Sequence, residues 1–107
     1  MIKNFPVSTV LDFADQVSYQ EGQVVSKTLA QDKNHSLTVF AFDKGEEISS
    51  HASDGDALVI ALDGLLEVTI DEQKYMLKSG ESILMPAHRP HAVFAPERCK
   101  MFLVVIF

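Results

Sequence analysis

The feature that most constrains this chain is its segmentation after Gly22 into strand-length apolar or alternating runs: QVVSKTLA, SLTVFAF, ALVIAL, LLEVTI, KYML, SILM, HAVFA and KMFLVVIF. They are rich in β-branched and aromatic residues, which pack well on a pleated surface. Turn-forming clusters separate them at Asp32-Lys33-Asn34, Asp43-Lys44-Gly45, Asp54-Gly55, Asp63-Gly64, Asp71-Glu72-Gln73, Ser79-Gly80, Pro86 to Pro90 and Pro96-Glu97. Parallel strands need crossovers of about a dozen residues or more, and the gaps here are mostly a few residues long. An all-β sandwich or barrel follows.

One departure from that texture comes first. Val10, Leu11, Phe13 and Ala14 recur at roughly helical spacing between Ser8 and Gln16, with Ser8 placed to cap, so a short N-terminal helix is expected over 8–16. The 107 residues, 47% hydrophobic and 22% charged, suit one globular domain over 1–107, with the barrel core at about 23–107.

The runs Ala57 to Leu62 and Met101 to Phe107 are apolar on both faces. One face fills the interior and the other needs a cover, for which a homodimer is the simplest expectation. The alternative is a monomer whose N-terminal segment folds back over the outer faces.

The formal charge of −6 and pI near 5.0, with Lys and Arg scattered, exclude a nucleic-acid partner. The N-terminal segment lacks an uninterrupted apolar h-region and no run is long enough to cross a bilayer, so no membrane partner is expected. A single cysteine, Cys99, cannot form an internal disulfide, which suits the cytoplasm. It reads as a small core residue before a reactive thiol.

Two spaced frames carry chemistry. Gly45 is followed after five residues by His51, then Ser53, Ala57 and Gly64; Gly80 is followed after five residues by Pro86, then His88, His91 and Ala95. This spacing resembles the two signatures of the cupin superfamily, of the forms G-x5-H-x-H-x3–4-E-x6-G and G-x5-P-x-G-x2-H-x3-N. The resemblance spans about half the chain and implies a double-stranded β-helix, or jelly-roll, barrel with a short N-terminal helix. In that family three imidazoles and one carboxylate hold a divalent metal. At those positions this chain keeps His51 and His91, while Ser53 and Ala57 stand in place of a histidine and the glutamate.

The change of ligands weakens any site for Fe, Mn, Ni or Zn, because serine is a poor ligand beside imidazole and alanine is none. Asp54, Asp56 and His88 are candidate replacements, although turn residues usually point outward. Period-two alternation places Ser53, Val59 and Ala61 on the face of His51 and Ala57, and Val93 and Ala95 beside His91. The resulting expectation is a small, mostly apolar pocket of His51, Ser53, Ala57, Val59, Ala61, His91, Val93 and Ala95, suited to a small organic ligand. A ligand-binding or sensory role follows. The alternative is a metalloenzyme with a reduced site of His51 and His91, of oxygenase, isomerase or lyase type; with no metal, either histidine is a candidate general base. Met85 and Met101 read as core filler and His35 as a surface or turn residue.

Overall fold

The computed structural model describes all residues 1–107. Its strands are β1 (Val24–Gln31), β2 (His35–Phe42), β3 (Glu47–His51), β4 (Asp56–Ile70), β5 (Gln73–Lys78), β6 (Ser82–Met85), β7 (His91–Phe94) and β8 (Cys99–Ile106). Every pairing is antiparallel. The first half of β4 pairs with β6 and β8, its second half with β5 and β7. This one strand therefore belongs to two sheets, β1-β2-β8-β4-β6 and β3-β7-β4-β5, which curl over a common interior as the jelly-roll barrel.

The shared strand corrects the sequence reading at Asp63-Gly64, which predicts a turn between two strands. β4 runs unbroken for 15 residues, and its pairing with β8 slips by one residue between Ala61 and Asp63. Gly64 holds the bend with φ of +74°, and an added Cβ would lie 1.9 Å from the Arg98 carbonyl oxygen. A bulge and a glycine thus turn a strand from one sheet into the other without ending it. β3 is absent from the apolar runs because EISSH is polar and only Ile48 is even partly buried along it. An edge strand facing water carries no hydrophobic alternation to detect.

The expected helix over 8–16 is only a four-residue 3-10 turn, Phe13–Gln16, capped by Asp12, whose side chain accepts from the Ala14 amide. Ser8 instead adopts φ of +54°, and Val10 is fully exposed. So short an isolated helix has little stability of its own, and tertiary contacts decide its shape. Phe13 packs edge-on against Phe102 at 4.7 Å between ring centroids, and Phe5 against Phe13 at 6.0 Å. The amide of Lys3 and the side chain of Asn4 donate to the Leu29 and Thr28 carbonyls.

Polar contacts fasten the rest of this arm. Lys100 Nζ donates to the Ala14 carbonyl at 2.7 Å, Tyr19 donates to Asp63 at 2.5 Å, and Asp43 accepts from the Gly22 amide and from Arg98 Nε. The arm covers Val39, Ala41, Leu62 and Phe102 on the outer face. Beyond it a second apolar row, Leu84, Leu58 and Val104, runs in register across β6, β4 and β8 and ends at Leu37 of β2, which packs in the arm's cluster. Leu84 remains 54% exposed and the neighbouring Ile106 56%.

Inside, Phe42, Leu66, Met85 and Met101 are fully buried with Ala57, Val59, Ala61, Val93 and Ala95. Each large side chain so buried contributes about 1.5–3 kcal/mol. Cys99 lies wholly in this core, where burial pushes its thiol up to about 12, leaving it inert.

Candidate functional site

The registers of β5, β4, β7 and β3 align Gln73, Ile70, His91 and His51 in one row across the second sheet. His51 reaches this row through an irregularity. Between the pairs Ile48–Val93 and His51–His91, β3 advances three residues while β7 advances two. Without that bulge, alternation from Ile48 would turn His51 to the opposite face. With it, the two imidazole rings meet edge-to-face, their centroids 4.5 Å apart.

The two rings sit in different media. His51 is exposed, and its Nδ1 lies 2.9 Å from the Ser49 carbonyl oxygen. A carbonyl can only accept, so Nδ1 carries the proton and, in the neutral ring, Nε2 keeps the lone pair. His91 is 3% exposed and its Nδ1 is buried with no hydrogen-bond partner. Burial first, and the neighbouring His51 second, hold its pKa below the ordinary value, against a contrary pull from the Arg89 backbone. The charged form of His91 is thus disfavoured, and its buried Nδ1 has no well-formed hydrogen bond.

The remaining expected pocket residues are placed as follows. Ala57, Val59, Ala61, Val93 and Ala95 all face the interior, in contact with the large core side chains. Ser53 Oγ accepts from the Gly55 amide at 3.1 Å and so stabilises its own turn. None of the eight lines either of the molecule's two open cavities. Asp54, Asp56 and His88 brace loops: Asp56 accepts from the Ala87 amide, the His88 amide donates to the Ser53 carbonyl, and exposed Asp54 lies 3.7 Å from His88 Nδ1.

The residues present do not fit a tightly held divalent metal. No three His, Cys, Asp or Glu side chains converge anywhere in the molecule, whereas a protein site ordinarily supplies at least three ligands. The carboxylate position is a buried methyl group, Ala57, and the Ser53 oxygen is engaged in its turn.

The sequence reading missed a groove of about 840 Å³ where the two sheets part between the outer edges of β5 and β6. Ile70, Tyr75, Ile83 and Leu84 make its apolar floor, with Asp71, Glu72 and Arg89 at the rim. Its members come from two stretches, 70–75 and 83–89, that meet only in the folded chain, so no motif spacing announces it. The second cavity, about 250 Å³, is wholly apolar and lies under the N-terminal arm beside Phe5, Phe13 and Phe102.

Comparison with known proteins places this geometry. The family model described as "Cupin domain" matches residues 38–107. A conserved protein of unknown function from Streptococcus pyogenes, SPY1581, is 45% identical over 98% of this chain and 92% of its own, with a TM-score of 0.96. A cupin superfamily protein from Desulfitobacterium hafniense is 33% identical over 100% of this chain and 98% of its own, also at 0.96. The salicylate 1,2-dioxygenase of Pseudoaminobacter salicylatoxidans, 12% identical, shares the fold at 0.71 over 78% of this chain and 25% of its own. A comparison with curated proteins gives no match. No helix here is long and apolar enough to cross a membrane.

Proposed function

This chain belongs to the cupin family, and we propose that it is a small-molecule-binding or sensory cupin whose ligand is held in the barrel interior against His51 and His91. The observation that carries this reading is the buried His91 Nδ1 without a partner. An unanswered buried polar atom costs about 1–3 kcal/mol, and a ligand group that hydrogen-bonds to it recovers that cost. The buried imidazole of His91 and the ring of His51 together offer a polar clamp within a mostly apolar wall, the usual composition of an organic-ligand site. A ligand that enters must displace core contacts around Val93 and Ala57, so recognition includes a local opening of the barrel.

The lining residues of the expected pocket, His51, Ser53, Ala57, Val59, Ala61, His91, Val93 and Ala95, are proposed on this ground. A single buried Cys99, with no second cysteine to pair with in the chain, agrees with a cytoplasmic location. The outer row Leu84, Leu58 and Val104, beyond the arm's cluster, supports a homodimer.

The test is metal content by inductively coupled plasma mass spectrometry on untagged protein, beside a His51→Ala/His91→Ala variant. The expected result is less than about 0.1 metal per chain, with no uptake of added Fe, Mn, Ni or Zn. Near-stoichiometric metal lost in the variant overturns the reading and establishes a two-histidine metalloenzyme in its place.

A further inference from the structure

The groove between β5 and β6 is built from different residues and has a different electrostatic character from the histidine pair. Its volume, about 840 Å³, falls in the range of small-molecule sites, roughly 300–1,000 Å³. The floor is apolar, with the half-buried ring of Tyr75 beside Ile70 and Ile83.

The rim is held in place. Asp71 takes a left-handed conformation, φ +55°, in the turn between β4 and β5, and its amide donates to the Pro90 carbonyl at 2.8 Å. Arg89 Nε donates to both Asp71 carboxylate oxygens and Nη2 to one of them. That pairing keeps the Asp71 carboxyl below its ordinary range and neutralises the groove's only cation. Glu72 forms no ion pair. The lining therefore carries one uncompensated negative charge, on a molecule whose formal charge is −6.

From the apolar floor and this charge balance we propose that the groove binds a small amphipathic organic cation, an aryl- or alkyl-amine, with its apolar body on Ile70, Tyr75, Ile83 and Leu84 and its ammonium beside Glu72. The Tyr75 ring adds attraction for a cation passing over its face. Phosphorylated and carboxylate ligands are disfavoured by the same charge balance. Neither His51 nor His91 lines the groove, although Ile70 of its floor pairs with His91 across β4 and β7.

The experiment is a titration of ¹⁵N-labelled full-length protein with phenethylamine, 2-phenylethanol and phenylacetate, which share a ring and differ in the charge of the head group. Expected are saturable amide shifts at residues 70–75 and 83–85, with phenethylamine binding roughly fivefold tighter than phenylacetate at low salt, as an exposed charge allows, and less so at high salt. Glu72→Gln brings the amine to within about twofold of the alcohol. His91→Ala leaves the amine's affinity within twofold and so separates this groove from the interior site. Equal affinity for amine and carboxylate overturns the proposal. So do shifts confined to Ile2, Phe5, Phe13 and Leu37, loss of binding in His91→Ala, or no saturable shifts with any of the three probes.

Discussion

His91 shows how far a single residue can be read before the chain is folded. Its spacing from Gly80 and Pro86 marks it as a site candidate, but the depth of its burial depends on core packing that no local pattern encodes. That burial has a consequence that unfolding measurements detect. The folded-state pKa lies below the ordinary 6.5, so between the two values the unfolded chain binds more protons than the folded one. Stability therefore falls as pH drops from about 6.5 toward the folded value, and is fully retained above 6.5. His91→Leu removes both this slope and the unanswered Nδ1, and is expected to be more stable than wild type by about 1 kcal/mol at pH 7 in urea unfolding. A loss of more than 1 kcal/mol in that variant would show that the imidazole is there for the fold. Gly64 makes the opposite case: Gly64→Ala meets the Arg98 carbonyl and a disfavoured backbone at once, and is expected to lose at least about 2 kcal/mol by the same measurement.

Among the elements, legibility followed burial. β2, β4 and β8 announce themselves because a face of each fills the core, and alternation places Ala57, Val59, Ala61, Val93 and Ala95 on the interior side correctly. β3 is silent because its side chains face water, and the bulge that turns His51 inward has no signature in EISSH. The N-terminal arm misleads for a related reason: its apolar residues are spaced by what they touch on a neighbouring sheet, with Phe13 on Phe102, and helical periodicity there is incidental. The arm's contacts predict its contribution. Phe13→Ala, at a half-buried position, is expected to cost roughly 2 kcal/mol and Tyr19→Phe about 1 kcal/mol, read as lowered denaturant midpoints with unchanged slopes. Asp43 anchors the arm's far end through the Gly22 amide and Arg98, which hold its carboxyl near pKa 2. Its contribution is present above the ordinary 3.8 and is lost as pH falls through about 2. Asp43→Asn should thus be less stable at pH 7 yet lose less stability between pH 4 and pH 2, a difference that unfolding at stepped pH resolves.

At the scale of the whole molecule, the N-terminal arm covers only part of the outer sheet face. The arm protects the Phe102 side, the cover that the monomer alternative requires, and it stops short of Leu84, Leu58, Val104 and Ile106. These residues form one continuous strip because register places them side by side, and an isologous contact of two such strips meets its own image across a two-fold axis. A stable interface needs about 800 Å² from each partner, more than the exposed strip alone supplies, so Ile2, Phe107 and the lip of the arm must join it. Two copies each carrying −6 repel one another, and salt screens that repulsion while leaving apolar burial intact or strengthened. The dimer is therefore expected to tighten as ionic strength rises from about 20 to 300 mM, the reverse of an interface built on opposite charges. Sedimentation equilibrium across that range measures it, with Leu84→Glu/Val104→Glu expected to be monomeric and folded throughout. A wild-type chain that stays monomeric at about 100 μM in high salt would show that the arm alone is sufficient cover, and that the strip beyond it is tolerated exposure.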